Sequence, residues 1–387
     1  MQKIFAGMVL VLLQSISVHA QKDKLTCVVG NPEVRTYADQ MTKTHFDKND
    51  SFLKEYWKYR LWSAVPSYIH RTSFKERISK DKIMCSMRNI PFVLGDRMLC
   101  ETSTDKGNFV NETPCVTDLM VDYMYWGVNE ALRCFADYAD DDYIQDIIFK
   151  KIHMESSFGF FFQYYGGTGL TQLVSASKKG MYSNGYAGHE FLVQHVNSHP
   201  AACESFKELL KNTPTASKFF NCQFISIGDG IGRNVLGGIG LYFYYRSGPK
   251  NSHSAEALLK RWGYNKTNSA WYRQVRSYIA LGMYNRGEKT IEDEIKDKID
   301  PNMLAKFKEK KKYDIVMHVI SHSQFISYVR GVENSPKKIF DSSSGMCSVK
   351  QPTSGVLAYQ HSEPPLLRSL KELDAHGMTE QYPRSKR

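Results

Sequence analysis

The chain has 387 residues, 42% of them hydrophobic and 13% aromatic, which excludes a disordered polymer and supports a sizeable core. That length suits two domains, or one large domain with an extension. The net charge of +11 suits anionic partners such as wall glycans, teichoic acids, lipid head groups or nucleic acid. The basic residues are scattered, however, apart from "KFKEKKK" at 306–312. That run reads as a solvated helix face, and nothing marks a nucleic-acid binder.

The first segment, "MQKIFAGMVLVLLQSISVHA", has a short basic start at Lys3, an apolar run from Ile4 to Leu13 and a Val18-His19-Ala20 end. This is the pattern of a secretory signal peptide over 1–20. The apolar run is too short for the roughly 20 residues that span a bilayer. No later stretch is long and apolar enough to do so, so the expectation is an exported chain, periplasmic or secreted, with no integral membrane segment after cleavage. All eight cysteines (Cys27, Cys85, Cys100, Cys115, Cys134, Cys203, Cys222 and Cys347) follow the leader. An even number in an oxidising compartment favours disulfides. The best single pairing is Cys203 with Cys222, which bracket a short polar segment.

Residues 21–111 are polar and mixed, with loop-like breaks at "DKNDS" and "STDKGN", and read as an N-terminal extension folded onto the main body. The main domain is placed at 112–335. In it "VTDLMVDYMYWGVNEALRCF" sets Met120, Met124, Val128 and Leu132 four apart, one face of an amphipathic helix. Asp140, Asp141 and Asp142 then precede "YIQDIIFKKIHMESS", where acids suit a helix N-terminus. Ile144, Ile148 and Ile152 form the apolar stripe of that helix, and Glu155 continues it. Burial among aromatics and the negative helix end both disfavour a charged carboxylate there. A carboxyl group held neutral can donate a proton, as a general acid must. From 336 to 387 the chain is a polar tail without periodicity.

Glu155-Ser156 with Phe158, "GLTQ" at Gly169, Leu170, Thr171 and Gln172, "NVLGGIGLYF" from Asn234, and "MYNRG" with Tyr284, Asn285 and Gly287 stand in that order. A weaker fifth segment, "QFISYVRGV", carries Tyr328 and Val329. Together they resemble the motifs of the lytic transglycosylases and the related goose-type lysozymes. The segments depart in detail, with Thr171 where methionine is usual and Gln324 where a Glu-Thr pair is usual. The resemblance covers roughly residues 115–335. It implies a mainly α, lysozyme-like, disulfide-bonded domain whose cleft holds several sugars of a peptidoglycan strand. It implies Glu155 as the catalytic acid and then base, with Ser156, Gly169, Leu170, Gln172, Asn234, Tyr284 and Asn285 binding substrate or supporting the loops that do. Tyr284 is expected to hydrogen-bond near Glu155 and fix its orientation. No cofactor is implied.

A hydrolase is the closest rival. An inverting one needs a second carboxylate about 6.5–9.5 Å from the first to activate water, with Asp229 and the acids from Asp137 to Asp142 as candidates. De-N-acetylated wall would suit such a hydrolase. A non-catalytic wall-binding protein is the rival from another class. No metal site is expected: His189 and His195 are six apart in "GHEFLVQH", against the His-Glu-x-x-His spacing of a zinc helix. "GDGIGRN" lacks the βαβ context of a dinucleotide fold, so its glycines belong to a loop or the start of a helix. The sequence fixes no oligomeric state.

Overall fold

The computed structural model describes residues 51–52, 54–56, 98–100, 107–109, 118–139, 144–156, 162–164, 167–211, 229–265 and 267–334. The leader, the acids Asp140 to Asp142, Cys222 and the tail lie outside the described residues. So do the side chains of Asp229 and of the aromatic run from Phe158 to Tyr165.

The described chain is mainly helical. Helix α1 (Asp118–Cys134) buries Met124, Val128 and Leu132 completely, as the four-residue spacing predicts. Phe52 and Tyr56, from the segment 51–56, pack on the same helix against Tyr123 and Trp126. Helix α2 (Ile144–Ser156) buries Ile144, Ile148 and Ile152. A four-stranded antiparallel sheet follows in the order β2 (Gly107–Phe109), β1 (Met98–Cys100), β3 (Phe162–Tyr164), β4 (Gly167–Thr168). Its register pairs Met98 with Phe109, Leu99 with Phe162 and Gln163 with Thr168.

Helices α3 (Ser175–Tyr182), α4 (Ala187–Ser198) and α5 (Lys207–Lys211) lead to α6 (Asp229–Ser247), the central helix of the core. Around it come α7 (Ala255–Arg261), α8 (Ala270–Arg286), α9 (Glu288–Ile295), α10 (Pro301–Ala305), α11 (Glu309–Ser321) and α12 (Ile326–Asn334). Ser254 and Ser269 cap α7 and α8 with their hydroxyls, and Asp300 caps α10 with its carboxylate, which satisfies otherwise orphaned N–H groups. Packing on α6 are α1, α3, α4, α7 and α8.

Gly230 and Gly232, which read as belonging to a loop or the start of a helix, lie in the first turn of α6, and Gly237, Gly238 and Gly240 follow along it. Each costs up to about 1 kcal/mol against alanine in a helix interior, so local propensity argues against the observed state. Packing explains it. A Cβ on Gly238 would stand 2.2 Å from the Thr171 hydroxyl oxygen, and one on Gly240 2.5 Å from Leu192. The missing side chains let two neighbouring segments close onto this helix, and their burial offsets the propensity cost.

The predicted Cys203–Cys222 pairing is replaced by Cys134–Cys203, across a separation of 69 residues. Sequence proximity misled because tertiary packing sets the partner. Cys134 ends α1, and the turn after α4 carries Cys203 to it. His195 of α4 closes the same corner, donating from Nε2 to the Cys134 carbonyl at 2.6 Å and stacking on Phe135 at 4.6 Å. His189 bonds the Met181 carbonyl at 3.1 Å. Among the described residues, no helix is long and apolar enough to cross a membrane.

Candidate functional site

A cleft of about 830 Å³ opens beside the C-terminal end of α2. Its lining joins Glu155 of α2, Gln172 of the turn after β4, Tyr244 and Tyr245 of α6, Tyr284 and Asn285 of α8, and Tyr328 of α12. Glu155 is half-buried, one position beyond exposed Met154. The stripe that the isoleucines begin therefore ends at the cleft wall.

Two further groups set the chemistry of Glu155. The Tyr328 hydroxyl donates a short hydrogen bond to its Oε1. Tyr284, expected in that role, instead donates to the Thr171 carbonyl at 2.7 Å, because its ring is turned toward the loop and packs under Lys151. The Lys151 ammonium lies 3.3 Å from the centre of the Tyr284 ring and is buried. Burial lowers the Lys151 pKa to about 8 against an opposing attraction from Glu155. Burial and the field of Glu155 raise the Tyr284 and Tyr328 phenols well above their ordinary value, so both stay neutral donors across neutral pH.

The loop between β4 and α3 forms the adjoining wall. Thr168 and Leu173 exchange backbone hydrogen bonds at 3.2 Å, and Gln172 N–H reaches the Gly169 carbonyl at 3.1 Å, giving a tight turn over 168–173. Gly169 takes φ +73° and Gln172 φ +51°. Among the described residues, Gln172 is the single non-glycine in the left-handed region, a conformation that costs about 1–3 kcal/mol and persists when its surroundings enforce it. Asn234 supplies that enforcement. Its Oδ1 accepts from Thr171 N–H at 2.8 Å and from the Thr171 hydroxyl at 2.9 Å, while its Nδ2 donates to the Thr168 carbonyl at 2.8 Å. From the other side the Ser156 hydroxyl donates to the Leu170 carbonyl at 2.8 Å.

The residues singled out in the sequence thus divide into two groups. Glu155, Gln172, Tyr284 and Asn285 line the cleft. Ser156, Leu170 and Asn234 are fully buried and, with Gly169, shape the loop behind it. Asp137, one of the proposed second carboxylates, pairs with His199 at 2.7 Å and is not among the lining residues.

Several lining residues were missed in the sequence. Tyr186 is 39% exposed at the cleft, and Val174 and Met154 extend the apolar lip beside it. Glu288, the first residue of α9, is a second carboxylate of the lining. One of its oxygens accepts from Asn251 Nδ2 at 3.0 Å, and its charge helps burial raise the Tyr244 phenol to about 12. Arg286 also lines the cleft and pairs with Glu294 at 3.1 Å. Lys151, which lies outside that lining, was missed as well, although it had a legible signal in standing one helical turn before Glu155. No family model, curated protein or solved structure matches the chain.

Proposed function

We propose that the protein is an exported, lysozyme-like enzyme that cleaves the MurNAc–GlcNAc β-1,4 bond of peptidoglycan, with Glu155 as its single acid and base. One observation carries the reading. Residues from four motif segments, up to 173 positions apart, line one cleft: Glu155, Gln172, the Tyr284-Asn285 pair and Tyr328. Nothing in the sequence spacing of these segments requires them to converge.

Protonated Glu155 gives its proton to the glycosidic oxygen as the C1–O bond breaks and positive charge builds on the sugar. The resulting carboxylate then takes the proton of the C6 hydroxyl as O6 closes on C1, which leaves a 1,6-anhydro end and consumes no water. Tyr328 holds the carboxyl group through its hydroxyl. Tyr284 and Asn234 hold the turn that presents Gln172. The exposed Tyr186 ring offers an apolar face of the kind sugars stack on.

Glu288 supports a second reading, hydrolysis, since it places another carboxylate on the same cleft. The products separate the two, because hydrolysis adds one water per bond cleaved and leaves a reducing MurNAc end in place of the anhydro one. The test is digestion of purified sacculi, followed by turbidity and by mass spectrometry of the fragments. Anhydro ends are expected from the wild type. Glu155→Gln keeps the shape but has no proton to give, and should slow clearing at least about 100-fold while still pelleting with sacculi. Equal clearing by Glu155→Gln would overturn the assignment.

A further inference from the structure

A lysine one helical turn before a reacting acid normally extends into solvent, burying its stem and wetting its head. Lys151 does not: it is 1% exposed, and its ammonium lies on the face of Tyr284 behind the cleft wall. An isolated buried ammonium is strongly unfavourable, and a leucine or methionine would fill the position without that cost. The charge is held by the electron-rich ring and by Glu155, whose field acts on it. That attraction is reciprocal. A cation fixed beside a carboxyl group favours its ionised form, and so does the hydroxyl donated by Tyr328.

We propose that Lys151 is a positioning residue for Glu155, the buried counter-charge that keeps the resting carboxyl group ionised and confines the acid step to the acidic side of neutrality. This rests on the reading of Glu155 as the reacting acid. Among the described residues, Arg286 of α8, paired with Glu294, and Glu288 of α9, bonded to Asn251, share the cleft lining with Glu155. Tyr284 comes from α8 and Tyr328 from α12, both neutral donors, and Tyr245 of α6 reaches the cluster through Tyr284. Lys151 is the buried cation of this cluster, and the field of Glu155 acts on it. The arrangement opposes the desolvation argued from sequence, in which aromatic surroundings alone would keep the acid proton-bearing.

The test reads ionisation directly. Side-chain 13C resonances of glutamate are titrated in the full mature protein, with Glu155→Gln identifying the Glu155 signal. Lys151→Met should raise the Glu155 midpoint by about one pH unit or more, and Lys151→Arg, which keeps the charge, should leave it near the wild-type value. The descending limb of kcat/KM against pH, measured on sacculi, should move to higher pH by the same amount in Lys151→Met. Should that variant fail to fold, the reciprocal measurement decides: Glu155→Gln removes the attraction and should lower the Lys151 midpoint, read from its ε-carbon resonance, below the wild-type value. An unshifted Glu155 midpoint in Lys151→Met, or an unshifted Lys151 midpoint in Glu155→Gln, overturns the inference. Absence of lysis at every pH, with the midpoints shifting as stated, would remove the enzyme reading and leave the charge pairing in place.

Discussion

Replacing Asn234 by alanine removes the clamp on the turn that carries Gln172, and the cost can be worked bond by bond. The Thr171 N–H loses its partner at 2.8 Å inside the core, where an orphaned donor costs about 1–3 kcal/mol. The Thr168 carbonyl keeps a second donor, the Leu173 N–H at 3.2 Å, and the Thr171 hydroxyl keeps the Asn234 backbone carbonyl at 3.1 Å. Each of those losses is then worth only about 1 kcal/mol. Alanine returns roughly 0.5 kcal/mol of helix propensity. The sum is a destabilisation of about 3 kcal/mol, read as a lower urea midpoint with an unchanged m-value. Thr171→Val, which removes the hydroxyl but leaves the N–H bond, should cost about 1 kcal/mol. A loss below about 1 kcal/mol for Asn234→Ala would refute the claim that this side chain holds the turn.

Three further outcomes follow from the same geometry. Gly238→Ala drives a methyl into the Thr171 hydroxyl at 2.2 Å and should cost about 2 kcal/mol or more. Adding Thr171→Ala should recover part of that loss, and strictly additive urea midpoints would contradict the contact. Removing both Cys134 and Cys203 by alanine substitution opens a link across 69 residues, worth about 4 kcal/mol by chain entropy; an unchanged denaturant midpoint would contradict it. Lys151 titrates near pH 8 in the fold against 10.5 ordinarily, so between these values the unfolded chain binds more protons. Its contribution to stability should therefore rise with pH across that window, by about 3 kcal/mol in total. Lys151→Met should be stabilised most at neutral pH and lose that advantage toward pH 10.5; parallel stability curves for the two proteins would count against the burial.

The helices were legible because their buried faces follow a simple period. Met124, Val128 and Leu132, and likewise Ile144, Ile148 and Ile152, are spaced by four and buried together. Relations set by distant packing were not legible. Cys134 finds Cys203 because α1 and α4 share a corner, a fact no cysteine spacing encodes. The Glu155 donor comes from α12 through Tyr328, and which of two tyrosines supplies it depends on which way each ring is turned. The glycines of α6 argue locally against a helix, and only the segments pressed onto them explain their presence. The charge beside Glu155 stood four residues away in the sequence, but recognising it required knowing that Lys151 does not reach water.

The contact of Thr171 with both Asn234 and Gly238 ties a buried turn to the molecule's central rod. Positions 171, 234 and 238 are consequently one unit of inheritance. A lineage that enlarges the side chain at 171 has no room at 238, and one that alters 234 strands the amide at 171. Across related chains these positions should therefore change as a set, although more than sixty residues separate the first from the others.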